Sequence, residues 1–313
     1  MARTALSRST TSRPIEHFAD RLIQRCAAKG AAICVGLDPV YERLPKKLRS
    51  VPGDAGPAQQ LEAIQRFCTA VLEVVGPLVP CVKIQSACFE RYGWEGVRVY
   101  DRLTDQAARL GLLVIADGKR GDIGASARHY AAGHLRPADD PDAPGADALT
   151  VQSYFGLDGL EPFLAAATTA GRGLFALVRT SNPGGDAVQA LRLADGRTVA
   201  EAVAEMVASA GSQWLGQSGY SLLGAVVGAT KSTDLRRLRE LMPQQILLVP
   251  GFGAQGADAS HVAACFRPDG TGALITASRS ILYAYEGRPG QDWREAIKQA
   301  ACKMKQQIQA IRP

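Results

Sequence analysis

The sequence lacks the patterns that mark several large classes of protein. Its seven cysteines include no C-x-x-C pair, and its four histidines include no H-E-x-x-H motif, so we expect no metal site. No apolar run approaches the roughly 20 residues that cross a bilayer, which excludes a transmembrane helix. An odd number of cysteines, most of them in apolar segments, indicates buried reduced thiols and a cytoplasmic protein.

The first residues, MARTALSRSTTSRP, carry three arginines and no acid, and no apolar segment follows them. This composition is atypical of a secretory signal and favours a disordered extension over residues 1–13, with an organelle transit peptide as the alternative. The tail arginines supply half of the net charge of +6. The modest excess that remains is weak support for nucleic-acid binding, and it is compatible with an anionic small substrate.

Eight short apolar segments recur along the chain, and each ends in Gly, Asp, Ser or Pro. None alternates cleanly, which is typical of strands buried on both faces. Helical patterns lie between them, with Gly76, Gly111, Gly171 and Gly211 where helix C-caps are expected. Eight βαβ-type units in this length favour an α/β fold of the (β/α)8 TIM-barrel type over a doubly wound sheet. The segments begin at residues 32, 81, 112, 148, 174, 222, 246 and 273.

A further helical pattern over residues 15–30 precedes the first strand and is expected to cap the bottom of the barrel. No linker divides the chain, and the polar stretch 136–147 is short enough for a surface loop. We therefore predict one catalytic barrel domain over residues 14–313, with an extra N-terminal helix.

The segment 251-GFGAQG-256 matches the dinucleotide fingerprint G-x-G-x-x-G by letter. It follows the seventh strand, whereas that fingerprint opens the first βαβ unit, so a dinucleotide site is not expected. Its glycines still permit close backbone approach, and the loops after strands 7 and 8 hold phosphate in many TIM barrels. Arg279, at the end of strand 8, adds a charged fork for the same phosphate.

A second segment, 224-GAVVGATKS-232, resembles a P-loop. Lys231 stands three residues after Gly228 instead of directly after it, so the Walker spacing fails. A nucleotide triphosphatase is therefore rejected.

Charged and polar residues stand at the carboxyl ends of the predicted strands, where TIM barrels place their active sites. Asp117 and Lys119, in 112-LLVIADGKRGDIG-124, are two residues apart and can both point into the barrel mouth. A solvated strand end with paired charges would explain any one of these residues, but not alternating charges beside a phosphate loop. The full set is Asp38, Lys83, Asp117, Lys119, Asp122, Ser181, Gln255 and Arg279.

The pattern D-x-K-x-x-D-I, from Asp117 to Ile123, resembles the signature of the orotidine 5′-phosphate decarboxylase family. The stretches 83-KIQSACFE-90, 224-GAVVGAT-230 and 249-VPGFGAQG-256 are similar to its longer bacterial branch. The resemblance extends from about residue 17 to the C-terminus. D-x-K-x-x-D alone is shared with sugar-phosphate relatives on the same barrel.

The resemblance implies decarboxylation of orotidine monophosphate to UMP, the last step of de novo pyrimidine synthesis, without a metal or organic cofactor. By analogy Lys119 donates the proton to C6, and Asp117 faces the leaving carboxylate. A homodimer is implied, in which Asp122, Ile123 and Ser126 (a serine where the family commonly has threonine) complete the partner's pocket. The resemblance also implies that Lys83 braces Asp117. The other implied contacts are Asp38 and Lys83 with ribose, Ser181 with pyrimidine, and Gln255, Gly253, Ser278 and Arg279 with phosphate.

Elementary electrostatics agrees with this chemistry, because a carbanion formed without an electron sink needs a fixed ammonium to stabilise and then protonate it. Two alternatives stay open. A sugar-phosphate aldolase or decarboxylase of the same barrel would need an acid placed for Mg²⁺ near the first strand, where only Asp38 is present. A phosphate- or RNA-binding protein would have no use for Asp117 and Asp122, which repel a polyanion.

Overall fold

The computed structural model describes residues 16–49, 55–137, 145–229, 232–253, 262–288 and 290–313. Eight parallel strands form a closed barrel in sequence order, from β1 next to β2 round to β8 next to β1. All eight predicted strands and the TIM-barrel fold are thereby confirmed. The strands are β1 Ile33–Leu37, β2 Cys81–Gln85, β3 Leu113–Arg120, β4 Ala148–Val151, β5 Gly173–Arg179, β6 Leu223–Val227, β7 Leu247–Pro250 and β8 Ala273–Ala277.

Helices follow the strands and pack on the outside of the barrel. Three described helices have a single turn each, and they lie in the loops that follow β2, β5 and β8. The described helices are α1 Phe18–Lys29, α2 Pro57–Val75, α3 Ala87–Glu90, α4 Gly93–Arg109, α5 Gly124–His134, α6 Gly156–Ala170, α7 Asp186–Gln189, α8 Val199–Gly211, α9 Ser232–Leu241, α10 Arg279–Leu282 and α11 Trp293–Ile311. No helix among these described elements is long and apolar enough to cross a membrane.

Side chains of alternate strand residues belong to two separate hydrophobic cores. Residues that point outward pack against the helices, whereas residues that point inward form a second, smaller cluster with members from all eight strands. The inward set includes Cys34, Cys81, Leu113, Ile115, Ala148, Phe175, Val226, Leu248 and Leu274. The barrel is therefore filled with apolar side chains below its mouth.

Helix α1 closes the bottom of the barrel, as the sequence predicted. Phe18 is 2% exposed and meets Phe175 edge-on, with ring centroids 5.9 Å apart. A Cβ at Gly173 would lie 2.1 Å from the Phe18 ring, so only glycine at the start of β5 leaves room for this plug. Arg21 fixes the helix through an ion pair with Asp147 at 2.7 Å.

The expected glycine C-caps are only partly right. Gly171 has the left-handed φ of 64° at the end of α6, and Gly111, with φ of 78°, follows the C-cap of α4. Gly76 is the C-cap of α2, as predicted, although it keeps right-handed helical angles, whereas Gly211 is the last residue of α8. At Gly211 the reason for glycine is packing, since a Cβ there would lie 2.7 Å from Ser221 Oγ.

All seven cysteines are free, and five are buried, in agreement with the expected reduced thiols. Burial raises the pKa of the Cys26 and Cys265 thiols to about 12. These cysteines are therefore neutral packing groups. The predicted extension over residues 1–13 lies outside the described residues.

Candidate active site

The candidate site is a polar layer built directly on top of the apolar barrel interior. Side chains two residues apart on a strand share a face. Lys83 follows Cys81, Asp117 follows Ile115 and Thr150 follows Ala148 in this way, and all three are at most 6% exposed. The inward-facing positions of these strands are thus apolar inside the barrel and become charged or polar at its mouth.

Asp117 is the centre of this layer. One of its oxygens, Oδ1, accepts from Lys119 Nζ at 2.6 Å and from the Thr150 hydroxyl at 3.1 Å. The other, Oδ2, accepts from Lys83 Nζ and from Gln85 Nε2, the latter at 3.2 Å. Both carboxylate oxygens are therefore engaged by donors from three neighbouring strands.

Charge pairing sets the ionisation of these groups. Burial alone would raise the pKa of Asp117, but the ammonium groups of Lys83 and Lys119 lower it to about 2. Burial likewise opposes a charged Lys83, whereas Asp38 and Asp117 outweigh it and raise the lysine pKa. At neutral pH Asp117 is therefore ionised and Lys83 is protonated.

Asp38 extends the charge network on the first strand's side. Its Oδ1 lies 3.7 Å from Lys83 Nζ. A Cβ at Gly36 would lie 2.9 Å from Ser278 Cβ and 3.5 Å from Asp38 Oδ1, so glycine lets the ends of β1 and β8 approach closely. Neither Asp38 Oδ1 nor Ser278 Oγ has a hydrogen-bond partner in the described part of the chain, although both atoms are shielded from solvent.

Ser181, Gly253 and Arg279, which the structure describes, occupy the rim of the mouth. Ser181 follows β5 and lies close to Gly228, the residue after β6. A Cβ at Gly228 would lie 2.8 Å from Ser181 N, so glycine is needed for this contact. Arg279 is exposed and begins α10, and Gly253 follows β7 with φ of 77°. Gln255 lies outside the described residues.

Asp122, Ile123 and Ser126 are not brought into the charge cluster. They lie beyond β3, where Ile123 is 55% exposed and Ser126 is exposed at the start of α5. Within the described residues Asp122 forms no ion pair, and its Oδ1 accepts from Ile123 N at 2.8 Å. The expected alternation of four charges therefore runs, inside one chain, as Asp38, Lys83, Asp117 and Lys119.

Two contacts of Asp117 were missed from the sequence. Gln85 follows Lys83 by two residues on β2, and Thr150 stands in the apolar run of β4. The parity that links Asp117 to Lys119 could have found Gln85. Thr150 gave no such signal, because threonine is an ordinary strand residue.

Arg120, although in the same motif, turns away from the mouth. Its guanidinium pairs with Glu90, donates to His134 Nε2 at 3.0 Å and donates to Gly118 O at 3.1 Å. Arg120 therefore supports the β3 turn from behind and adds no charge to the site. A cluster of His, Cys, Asp or Glu that could hold a metal ion is absent from the described residues.

Comparisons with known proteins show which family the chain resembles over most of its length. Residues 31–296 match the model of the "Orotidine 5'-phosphate decarboxylase / HUMPS family". The chain is 41% identical to the orotidine 5′-phosphate decarboxylase of Rhodopirellula baltica over 93% of this chain and 98% of that protein. The corresponding enzyme of Deinococcus radiodurans is 40% identical over 85% and 89%. The solved structure of Leishmania donovani OMP decarboxylase is 30% identical with a TM-score of 0.70, covering 95% and 98% of the two chains.

Proposed function

The chain belongs to the orotidine 5′-phosphate decarboxylase family, and we propose that its charged cluster converts orotidine monophosphate to UMP and CO2 without a cofactor. The observation that carries this proposal is the network Asp38–Lys83–Asp117–Lys119 at the mouth of a closed barrel. An ionised carboxylate and an ammonium, fixed side by side above an apolar floor, suit a reaction that loses CO2 and gains a proton at one carbon.

Lys119 is the proposed proton donor. The bond between C6 and the carboxylate carbon breaks, CO2 departs, and the electron pair left on C6 takes a proton from the Lys119 ammonium. The ammonium also stabilises the negative charge as it develops. The Lys119 side chain is 43% exposed, so the neutral amine left after transfer can regain a proton from solvent.

Asp117 is proposed to face the departing carboxylate. Its pKa of about 2 keeps it ionised at neutral pH. Two carboxylates about 4 Å apart repel by roughly 4 kcal/mol at an effective dielectric near 20. This repulsion is lost once the neutral product CO2 forms, so it lowers the barrier.

The substrate's other parts are assigned to the rim. Asp38 Oδ1 is shielded from solvent and accepts no hydrogen bond from the described residues, which suits a ribose hydroxyl, together with Lys83. Ser181 is proposed to read the pyrimidine edge. The Ser278 and Gly253 backbone, the Arg279 guanidinium and Gln255 are proposed to hold the phosphate at the ends of β7 and β8.

A second copy of the chain is proposed to complete each site. Asp122, Ile123 and Ser126 lie beyond the cluster of their own chain, and the ring of Phe155, which contacts that of Tyr154, would lie 3.4 Å from a Cβ at the adjoining Gly121. Tyr154 is 86% exposed, Phe155 48% and Leu157 44%. Exposed apolar side chains grouped around a loop indicate a surface that another protein covers, and a C2 interface would build two shared sites.

The reaction is tested by following the loss of orotidine monophosphate absorbance with purified protein and no added cofactor. We expect turnover that persists in excess EDTA, which separates this function from a Mg²⁺-dependent sugar-phosphate reaction. Lys119→Ala should lower kcat at least 100-fold with the fold intact, whereas Lys298→Ala, on the outer helix α11, should not. Turnover that required added metal, or a Lys119→Ala enzyme with more than a small fraction of kcat, would refute the respective assignment.

The shared site is tested by pairing Lys119→Ala chains with Asp122→Ala chains in heterodimers isolated by two affinity tags. If Asp122 acts across the interface, one site of each hybrid is intact and the other lacks both groups. About half of the wild-type activity should therefore return. A heterodimer as inactive as its parents would show that Asp122 acts within its own chain.

A further inference from the structure

Strand β3 is irregular where it carries the catalytic pair. Ala116 is paired with Leu149 and Arg120 with Val151, so Asp117, Gly118 and Lys119 together lie opposite the single residue Thr150. Such a bulge removes regular ladder partners from the backbone groups inside it. The amide of Lys119 is one of the groups that needs a substitute acceptor.

Lys119 is also the only non-glycine residue in the described part of the chain with a left-handed backbone, at φ of 46°. A side chain with a Cβ adopts this conformation at a cost in free energy, so the surroundings must hold it. The conformation persists at the residue whose ammonium lies 2.6 Å from Asp117 Oδ1. The backbone geometry and the position of the ammonium are therefore coupled.

The Thr150 hydroxyl provides an acceptor for the Lys119 amide and helps to hold the left-handed backbone of Lys119. It accepts from Lys119 N at 2.9 Å, which satisfies the amide inside the bulge. It donates to Asp117 Oδ1 at 3.1 Å, in preference to Ala116 O at 3.5 Å. Since Thr150 is 1% exposed, water does not replace these bonds, and a hydroxyl is the one small group that can do both at once.

We propose that Thr150 is a positioning residue, which holds the backbone of Lys119 and the carboxylate of Asp117 in the relative geometry that proton transfer requires. It lies beneath the pair and acts through these two residues. This inference rests on the roles proposed above for Lys119 and Asp117. Loss of the hydroxyl should therefore lower kcat, while the rim residues that hold ribose and phosphate keep their places and KM stays nearly unchanged.

The test compares Thr150→Val with Thr150→Ser. Valine has nearly the shape of threonine but makes neither bond, and serine keeps the hydroxyl. We expect Thr150→Val to lower kcat about 10- to 100-fold, because one neutral and one charge-assisted hydrogen bond are lost, with KM and the Kd for UMP within about threefold of wild type. Thr150→Ser should recover most of kcat, although it lacks the methyl group.

Thr69→Val is the matched control, since Thr69 donates to Gln106 Oε1 at 3.0 Å between two outer helices, far from the mouth. It should leave kcat unchanged. Wild-type kcat in Thr150→Val, or equal impairment in Thr150→Ser and Thr150→Val, would overturn the proposal. Wild type and Lys119→Ala are measured alongside, so that a failure of the proposed function can be told from a failure of the Thr150 proposal. Inactive wild type or active Lys119→Ala would contradict the proposed function itself.

Thermal unfolding of each variant identifies a folding defect. If Thr150→Val melts too low to assay, the kcat and the UMP affinity of Thr150→Ser, each compared with the wild type, still decide the matter. A serine enzyme with wild-type UMP affinity and wild-type kcat supports the hydroxyl as the required group, and one with wild-type affinity but kcat reduced tenfold contradicts it.

Discussion

Lys83 and Asp117 should be among the most strongly coupled charges in the protein. Their side chains are 8% and 7% exposed, so solvent screens them little. The Asp117 pKa falls from 3.8 to about 2, which corresponds to about 2 to 3 kcal/mol at 1.36 kcal/mol per pKa unit. Because burial acts in the opposite direction, the attraction exceeds this net figure. A double-mutant cycle with Lys83→Met and Asp117→Asn should give a coupling energy of about 2 to 4 kcal/mol.

The assay is urea unfolding at pH 7 and one fixed protein concentration, which removes the concentration dependence of an oligomer. Two further cycles serve as controls. The same cycle with Lys119→Met should give less than about 1 kcal/mol, since its side chain is 43% exposed and solvent screens the pair. The surface pair Glu295–Lys298, 4.0 Å apart, should give a few tenths of a kcal/mol. Equal coupling in all three cycles would refute the argument from burial.

Three other predictions follow from the same geometry. A carboxylate whose pKa is lowered by folding stabilises above its unfolded pKa and loses this effect as pH falls, so the stability difference between wild type and Asp117→Asn should shrink between about pH 4 and pH 2 in urea titrations. Arg279→Ala should weaken UMP binding about 10- to 100-fold and raise KM; unchanged UMP affinity would exclude Arg279 as the phosphate clamp. Gly36→Ala should destabilise by about 1 to 3 kcal/mol, because its Cβ would lie 2.9 Å from Ser278 Cβ; an unaltered Tm would contradict this.

The sequence was sufficient for the barrel because each strand is a buried apolar run with a clear polar end. Strand parity also predicted that Asp117 and Lys119 share the mouth. Parity could not predict the bulge that puts three residues opposite Thr150, since bulges depend on pairing with the neighbouring strand. From the sequence, Thr150 could not be told from any other strand residue. Its hydrogen bonds with Lys119 and Asp117 are evident only in the structure.

The wrong prediction of a C-cap at Gly211 also arose because a local sequence pattern does not show contacts between distant residues. A glycine at the end of a helical pattern suggests a left-handed cap, and Gly171 has one. Gly211 is glycine because Ser221, ten residues later, lies too close for a Cβ. Local pattern identifies where the backbone needs freedom, but it does not identify where a distant side chain needs space.

The exposure of each charged residue matches the part it has in the proposed mechanism. Lys83 and Asp117 transfer no proton in that mechanism, and their side chains are almost fully buried, where the local dielectric keeps their electrostatic field strong. In the same proposed mechanism Lys119 loses and regains a proton in every turnover, and its side chain is 43% exposed. A buried lysine in its place would be slow to exchange with water, whereas an exposed Asp117 would be screened. A buried Asp117 and a solvent-exposed Lys119 ammonium must therefore lie side by side. Thr150 allows this, because it holds the Lys119 backbone from below and leaves the ammonium open to solvent.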